Sequence, residues 1–145
     1  MNYDGQDREM MLLSHKARNR SRLEELAAYA KAAGYKKLGI ANCFSMQKYA
    51  DRLKEILSEK GFDVFAVNCK ESGLDGCDIS SEMKGPCCDP LSQAEYLNGC
   101  GTDFNINLGL CLGHGLLFQK YSKAPVTTLV VKDPATGHHS VDSLL

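Results

Sequence analysis

Seven cysteines, at positions 43, 69, 77, 87, 88, 100 and 111, stand among 145 residues. That is about one residue in twenty, a high share for an ordinary domain. The count is odd and nothing at the amino end reads as a secretion signal, so a disulfide framework accounts for them poorly. They remain as thiols, metal ligands or catalytic groups, beside the plain role of cysteine as a small buried hydrophobe. Cys111 draws attention by its neighbours. Gly109, Cys111 and Gly113 match the nucleophile-elbow pattern G-x-S-x-G with cysteine in the serine position. A thiolate there would be stabilised by the amino end of a following helix. His114 is too close in sequence for the side-on approach of a triad histidine, which leaves His138 as the better base. A glycine-rich turn that only lets strand and helix pack closely is the structural alternative.

These residues must be positioned by elements that the pattern of apolar residues predicts. Leu23, Leu26, Ala27, Ala30 and Ala33 recur at helical spacing, Ser21 and Glu24 fit a capping box, and Gly34 stops the helix. Met10, Met11 and Leu13 extend it or form a separate turn. From Lys36 strands and helices alternate. "KKLGIANC" is a strand ending at Cys43; Met46, Ala50, Leu53, Ile56 and Leu57 then share one helical face up to Gly61. "FDVFAVNC" ends at Cys69 and opens onto a long Gly, Ser and Asp-rich stretch; loops of that length in compact domains are usually functional. Asp89 followed by Pro90 starts a helix that runs to about Asn98. "DFNINLGLC" is the third strand, a helix spans about His114 to Tyr121, and "APVTTLVVKD" is the fourth strand.

Strands linked by helices pair in parallel through right-handed crossovers. The expected fold is therefore α/β, a small three-layer sandwich around a mostly parallel four-stranded sheet of order 2-1-3-4. Residues 1–35 form a helical segment packed on a cysteine-rich α/β domain, 36–145. In open parallel sheets the ligand crevice lies at the carboxyl ends of the strands where the order reverses, here between strands one and three. Cys43, Cys69 and Cys111 each close a strand, so all three thiols are expected on that one edge. The loop carrying Cys77, Cys87 and Cys88 leaves from the same edge, where Lys132, Asp133 and His138 also arrive.

Several thiolates converging on one place are soft ligands that suit zinc or an iron–sulfur cluster. No CxxC pair occurs, so the fold itself would assemble the ligands, and adjacent Cys87 and Cys88 would diverge in an extended chain. Asp89, Gln93, Glu95 and Asn98 read as a solvated helix face, Asp103 and Asn105 as turn residues, and His15 as surface. Lys70, next to Cys69, is placed to lower a thiol pKa or hold an anion. With 17 basic and 18 acidic side chains and a net charge of -1, no footprint for nucleic acid or anionic lipid stands out. No apolar stretch is long enough for a membrane span, and the expected location is the cytoplasm.

"CKESG", "CCDPLSQAEYLN", "TDFNINLGLCLGHGLLFQKYSKAPVTTLVVKD" and "TGHH" closely resemble a domain-of-unknown-function family of uncharacterised, cysteine-rich proteins from archaea and anaerobic bacteria that are described as metal-binding. The resemblance spans residues 36 to 145. It implies that Cys43, Cys69 and Cys111 correspond to the family's strand-end cysteines. Cys88, Asp89 and Pro90 correspond to its C-N-P turn with Asp for Asn, His114 and His138 to its histidines, and Lys132 and Asp133 to its Lys-Asp pair. Cys77, Cys87 and Cys100 have no counterpart, and the CxxC cluster of many members is missing here.

The first expectation is thus a metal or iron–sulfur site, with Cys43, Cys69, Cys88 and Cys111 as ligands and His114 as a substitute or supporting partner. Lys70, Asp133 and His138 would line it and contact a bound group. The alternative is a cysteine-dependent enzyme or sulfur and redox carrier in which Cys111 or Cys43 is the thiolate, tuned by His114, His138 and Lys70. A third reading is a module whose crevice holds a small ligand. The partner is a small molecule or a metal in each case.

Overall fold

A computed structural model describes residues 1–145. Two helices come first, α1 (Gly5–Ala17) and α2 (Arg22–Ala32). The Met10–Leu13 stretch belongs to its own helix, because Asp4 caps α1 by accepting from Asp7 N at 2.7 Å and Asn19, at φ 67°, turns the chain back before α2. Ser21 caps α2 by accepting from Glu24 N, as the capping-box pattern predicts. The rest alternates: β1 (Lys37–Asn42), α3 (Gln47–Glu59), β2 (Asp63–Asn68), α4 (Pro90–Cys100), β3 (Phe104–Leu108), α5 (Leu112–Tyr121) and β4 (Val126–Val130).

All three strand pairings are parallel and the sheet order is β2-β1-β3-β4. The doubly wound arrangement read from the alternation of elements is the one observed. Leu38 and Ile40 of β1 face a core completed by Leu26, Ala27 and Ala30 of α2 and by Ala50, Leu53 and Leu57 of α3. Ala41 and Val67 face the other way, against Ala94 and Leu97 of α4 and Phe118 of α5. Helices therefore cover both faces, as a parallel sheet requires. No helix is long and apolar enough to cross a membrane.

Two polar devices hold the sheet where apolar packing alone would leave backbone groups unpaired. At the amino edge, Asp103 Oδ2 accepts from Lys36 N at 2.8 Å and Lys37 N at 3.0 Å, tying the entries of β1 and β3 together. Those two amides, that of Lys37 first, hold the Asp103 carboxyl below its ordinary value. Inside the sheet, Asn105 is fully buried in β3 and is no turn residue. Its side chain accepts from Thr102 Oγ1 at 2.7 Å and donates to Ser122 Oγ at 2.8 Å, so this polar group is satisfied in the core. Gly39 of β1 lies directly against that amide. A Cβ there would collide with Asn105 Oδ1 and come within 2.9 Å of Leu97 Cδ1.

Two predictions follow from this framework. Gly39→Ala overpacks a site that is both buried and hydrogen-bonded and should cost about 1–3 kcal/mol, read from the urea midpoint at unchanged slope. Asp103 has a depressed folded pKa, so its contribution is present above the unfolded value of about 3.9 and is lost as pH falls through the folded value. Urea midpoints of Asp103→Asn and the parent should differ at pH 7 and converge on acidification; an equal difference at both pH values would show that the carboxylate charge is not what matters.

Candidate functional site

The carboxyl edge of the sheet is where the cysteines gather. β1 and β2 are in register at their ends, Asn42 opposite Asn68, so Cys43 and Cys69 follow side by side. Both are almost fully buried, at 3% and 2% exposure. β3 stops earlier than its apolar run suggests, at Leu108, so Cys111 does not close the strand. Gly109 adopts φ 74°, a conformation open to glycine, and the Asn107 side chain accepts from Leu110 N at 3.1 Å, which ends the ladder. A Cβ on Gly109 would also press on the Met46 side chain at 2.9 Å. Cys111 then serves as the N-cap residue of α5, which starts at Leu112, two residues before His114.

This geometry departs from a nucleophile elbow. In that motif the nucleophile itself sits on the strained turn, whereas Cys111 has ordinary extended angles, φ -58° and ψ 154°, and the left-handed residue is Gly109. The G-x-C-x-G pattern here is a strand-ending turn. Cys111 is half-buried and lines a groove of about 260 Å³ with Leu110, Leu116, Val130, Val131 and Lys132.

Lys132 organises the edge. Its ammonium lies 3.3 Å from Cys43 Sγ and 3.5 Å from Cys111 Sγ. No carboxylate pairs with it, since the two ion pairs of the molecule join Arg22 to Glu25 and Arg52 to Glu55. Cys43 has a further partner, the Ser45 hydroxyl at 3.0 Å. Burial alone pushes the Cys43 thiol up; the hydrogen bonds of Ser45 and the hydrogen bond and charge of Lys132 outweigh it and leave the thiol below its ordinary value. Lys132 is correspondingly held above its ordinary value, first by its hydrogen bond to Cys43, against an opposing effect of burial.

Cys69 and Cys88 form a second pair, with Cys88 Sγ donating to Cys69 Sγ at 3.3 Å. Phe44 N also donates to Cys69 Sγ, at 3.4 Å. Burial drives the Cys69 thiol up to about 12, with Cys88 and Cys43 adding to the rise against the Phe44 amide. The two pairs are thus opposite in character: one shares a cation, and in the other burial holds the Cys69 thiol protonated.

The remaining candidates lie elsewhere. Lys70 places its ammonium over the Phe44 ring, 4.1 Å from the centroid, and no hydrogen bond joins it to a thiol. Asp133 and His138 are absorbed in their own turn: Asp133 N donates to His138 Nδ1 at 2.9 Å, and Asp133 Oδ2 accepts from Ser140 Oγ at 2.8 Å. His114 is half-buried on α5 and makes no hydrogen bond to a sulfur. Cys77 lies exposed in the long loop, while Cys100 ends α4.

Three residues that matter here carry little sequence signal. Ser45 shows only as a hydroxyl two positions after Cys43. Lys132 is visible as a strand-end lysine, but its partners are not. Gln93, read as part of a solvated helix face, is 1% exposed. It reaches from α4 to donate to Asn42 O at 3.2 Å and Val67 O at 2.9 Å, clamping the ends of β1 and β2. Gln93 Oε1 and Asn42 Oδ1 are left buried without partners.

The donor set does not make one coordination sphere. No group of three or more Cys, His, Asp or Glu side chains is placed to hold a metal ion. Cys43 and Cys111 share the Lys132 ammonium, while Cys69 and Cys88 meet each other.

The family model described as protein of unknown function (DUF1847) matches residues 4–129. Its span takes in α1 and α2 as well as the sheet, beyond the stretch from residue 36 on which the sequence resemblance rests. The "uncharacterized protein MJ0455" of Methanocaldococcus jannaschii is 45% identical over 130 residues, covering 86% of this chain and 67% of the relative. No solved structure gives a significant match. With most of its length under the family model and an archaeal relative at this identity, the chain belongs to the DUF1847 family.

Proposed function

We propose that the protein is a thiol-dependent sulfur or redox carrier whose working unit is Cys43, Lys132 and Cys111. The observation that carries this reading is one ammonium shared by two sulfurs and paired with no carboxylate. A lysine at a strand end would ordinarily extend into water; turning it onto two thiols is useful when one of them is to carry negative charge. Cys43, buried beside both Lys132 and Ser45, is the sulfur that holds the charge. Cys111, at the apolar groove, is the sulfur that meets a substrate.

The chemistry this supports is exchange at a sulfur–sulfur bond. Cys111, after losing its proton to solvent, attacks a persulfide or disulfide. A new bond to Cys111 forms, the donor's S–S bond breaks, and the departing thiolate takes a proton from water. The Cys43 thiolate then attacks the sulfur bound to Cys111: a bond from Cys43 to that sulfur forms, its bond to Cys111 breaks, and Cys111 leaves as a thiolate. Lys132 serves throughout as the counter-charge, keeping its own proton. The competing reading is a metal or iron–sulfur centre on Cys43, Cys69, Cys88 and Cys111, and one preparation distinguishes the two.

Ultraviolet thiolate absorbance, followed against pH and taken as the difference between the parent and Cys43→Ser, isolates Cys43 without requiring a reagent to reach it. The midpoint is expected below the ordinary thiol value of about 8.5. Lys132→Met should move it upward, because a cation that favours the charged form is removed, and should slow thiol exchange at pH 7 several-fold. Ser45→Ala should shift it in the same direction through loss of one hydrogen bond. A parent midpoint at or above the ordinary value would overturn the proposal. So would a stoichiometric metal in anaerobically purified protein that disappears in both Cys43→Ser and Cys111→Ser.

A further inference from the structure

The long loop between β2 and α4 is irregular in sequence but firmly held. Asp75 and Pro86 form an antiparallel bridge within it, Gly76 N donates to Gly85 O at 2.9 Å, and Cys87 N donates to Leu74 O at 2.9 Å. At its base, Asp89 N donates to Cys69 O at 2.7 Å. Asp89 is fixed in turn, capping α4 by accepting from Ser92 N at 3.0 Å and accepting from Ser72 Oγ at 2.6 Å. The two ends of the loop are therefore locked together by backbone, and Cys69 and Cys88 sit at the junction with their sulfurs 3.3 Å apart.

That contact lies beside the Cys43 site and shares neither Lys132 nor Ser45 with it. Neither sulfur accepts a hydrogen bond from a cation, and Lys70, next to Cys69 in the chain, is engaged by the Phe44 ring. Two thiols already in contact at 3.3 Å are close to the disulfide bond length of about 2.05 Å. Access is graded, since Cys69 is buried and Cys88 is half-buried. Of the two, Cys88 is the residue a reagent reaches first.

We propose that Cys69 and Cys88 are a redox-active dithiol that low-molecular-weight disulfides convert to an intramolecular disulfide. Cys88, as thiolate, attacks one sulfur of the small disulfide; that S–S bond breaks, and one half leaves as a thiolate that takes up the proton Cys88 gave to water. Cys69 then attacks the Cys88 sulfur, a bond forms between them, and the second half departs with the proton from Cys69. Two protein thiols are oxidised by two electrons, and one small disulfide is reduced to two thiols. The buried, protonated state of Cys69 suits this order, because it reacts only after a sulfur has been placed beside it. Oxidation would close the loop covalently at the rim of the cysteine edge, next to the Phe44 amide that contacts Cys69.

The test uses the full chain, reduced and then equilibrated anaerobically with graded ratios of oxidised to reduced glutathione, quenched in acid, alkylated and peptide-mapped. The expected result is a Cys69–Cys88 crosslink, seen as the loss of two hydrogens, that rises with the ratio and reverses when reductant is restored. Cys69→Ser should instead accumulate a glutathione adduct on Cys88. If Cys69 and Cys88 stay freely alkylated across ratios that oxidise ordinary dithiols, the proposal fails. It also fails if Cys88 is crosslinked to Cys77 or Cys87, or if a bound metal protects both thiols until it is chelated. The parent measurement stands even if the variant does not fold. A normal Cys43 midpoint beside a Cys69–Cys88 crosslink would sink the carrier reading alone, and the reverse outcome would sink the dithiol alone.

Discussion

The parallel pairing of β1 with both of its neighbours is the constraint on which the rest depends. β1 is the strand at which the order of the sheet reverses, with β2 on one side and β3 on the other, and its end at Asn42 is matched to Asn68 and Leu108. A shift of one residue in either pairing would turn each side chain to the opposite face of the sheet. Cys43 would then face α3 in place of α4 and α5, and its contacts with Lys132 would be lost. Register is specified here because both faces are buried, so a slip would expose one apolar set and bury polar groups in its place.

That constraint is reinforced by polar groups, each at a point where strands begin or end. Asp103 ties the strand entries through Lys36 and Lys37, Asn105 joins β3 to the chain leaving α5, and Gln93 clamps the exits of β1 and β2. Buried amides are costly unless satisfied, at roughly 1–3 kcal/mol for an unpaired group. The structure accepts that cost at Gln93 Oε1 and Asn42 Oδ1, beside the cysteines. Rigidity at this edge is what lets thiols of different acidity lie so close together.

The contrast between the two sulfur pairs follows from what surrounds them. Cys43 and Cys69 are buried to nearly the same degree, yet one is pulled below the ordinary thiol value and the other is driven far above it. Burial acts on both in the same direction. The difference lies in Lys132 and Ser45, which meet Cys43 and not Cys69. One cation supplied from beyond the end of β4 thus sets the two thiols on opposite sides of the ordinary value on the same edge.

The amino-acid sequence by itself determined the α/β class, the parallel order of the strands and the gathering of cysteines on one edge. Each rests on local periodicity and on connection rules that hold for any chain of this pattern. Tertiary structure decided the chemistry of that edge. Whether Lys132 or Lys70 would meet a thiol depended on which aromatic ring and which sulfurs lay within reach of each ammonium, residues separated by as many as 89 positions. The left-handed turn at Gly109 moved Cys111 off its strand and onto a helix cap, while Asn105, expected in a turn, and Gln93, expected on a solvated helix face, lie in the core. Hydropathy patterns report which face of an element is buried; they carry no information about which polar groups meet inside, because those contacts join segments distant in the chain.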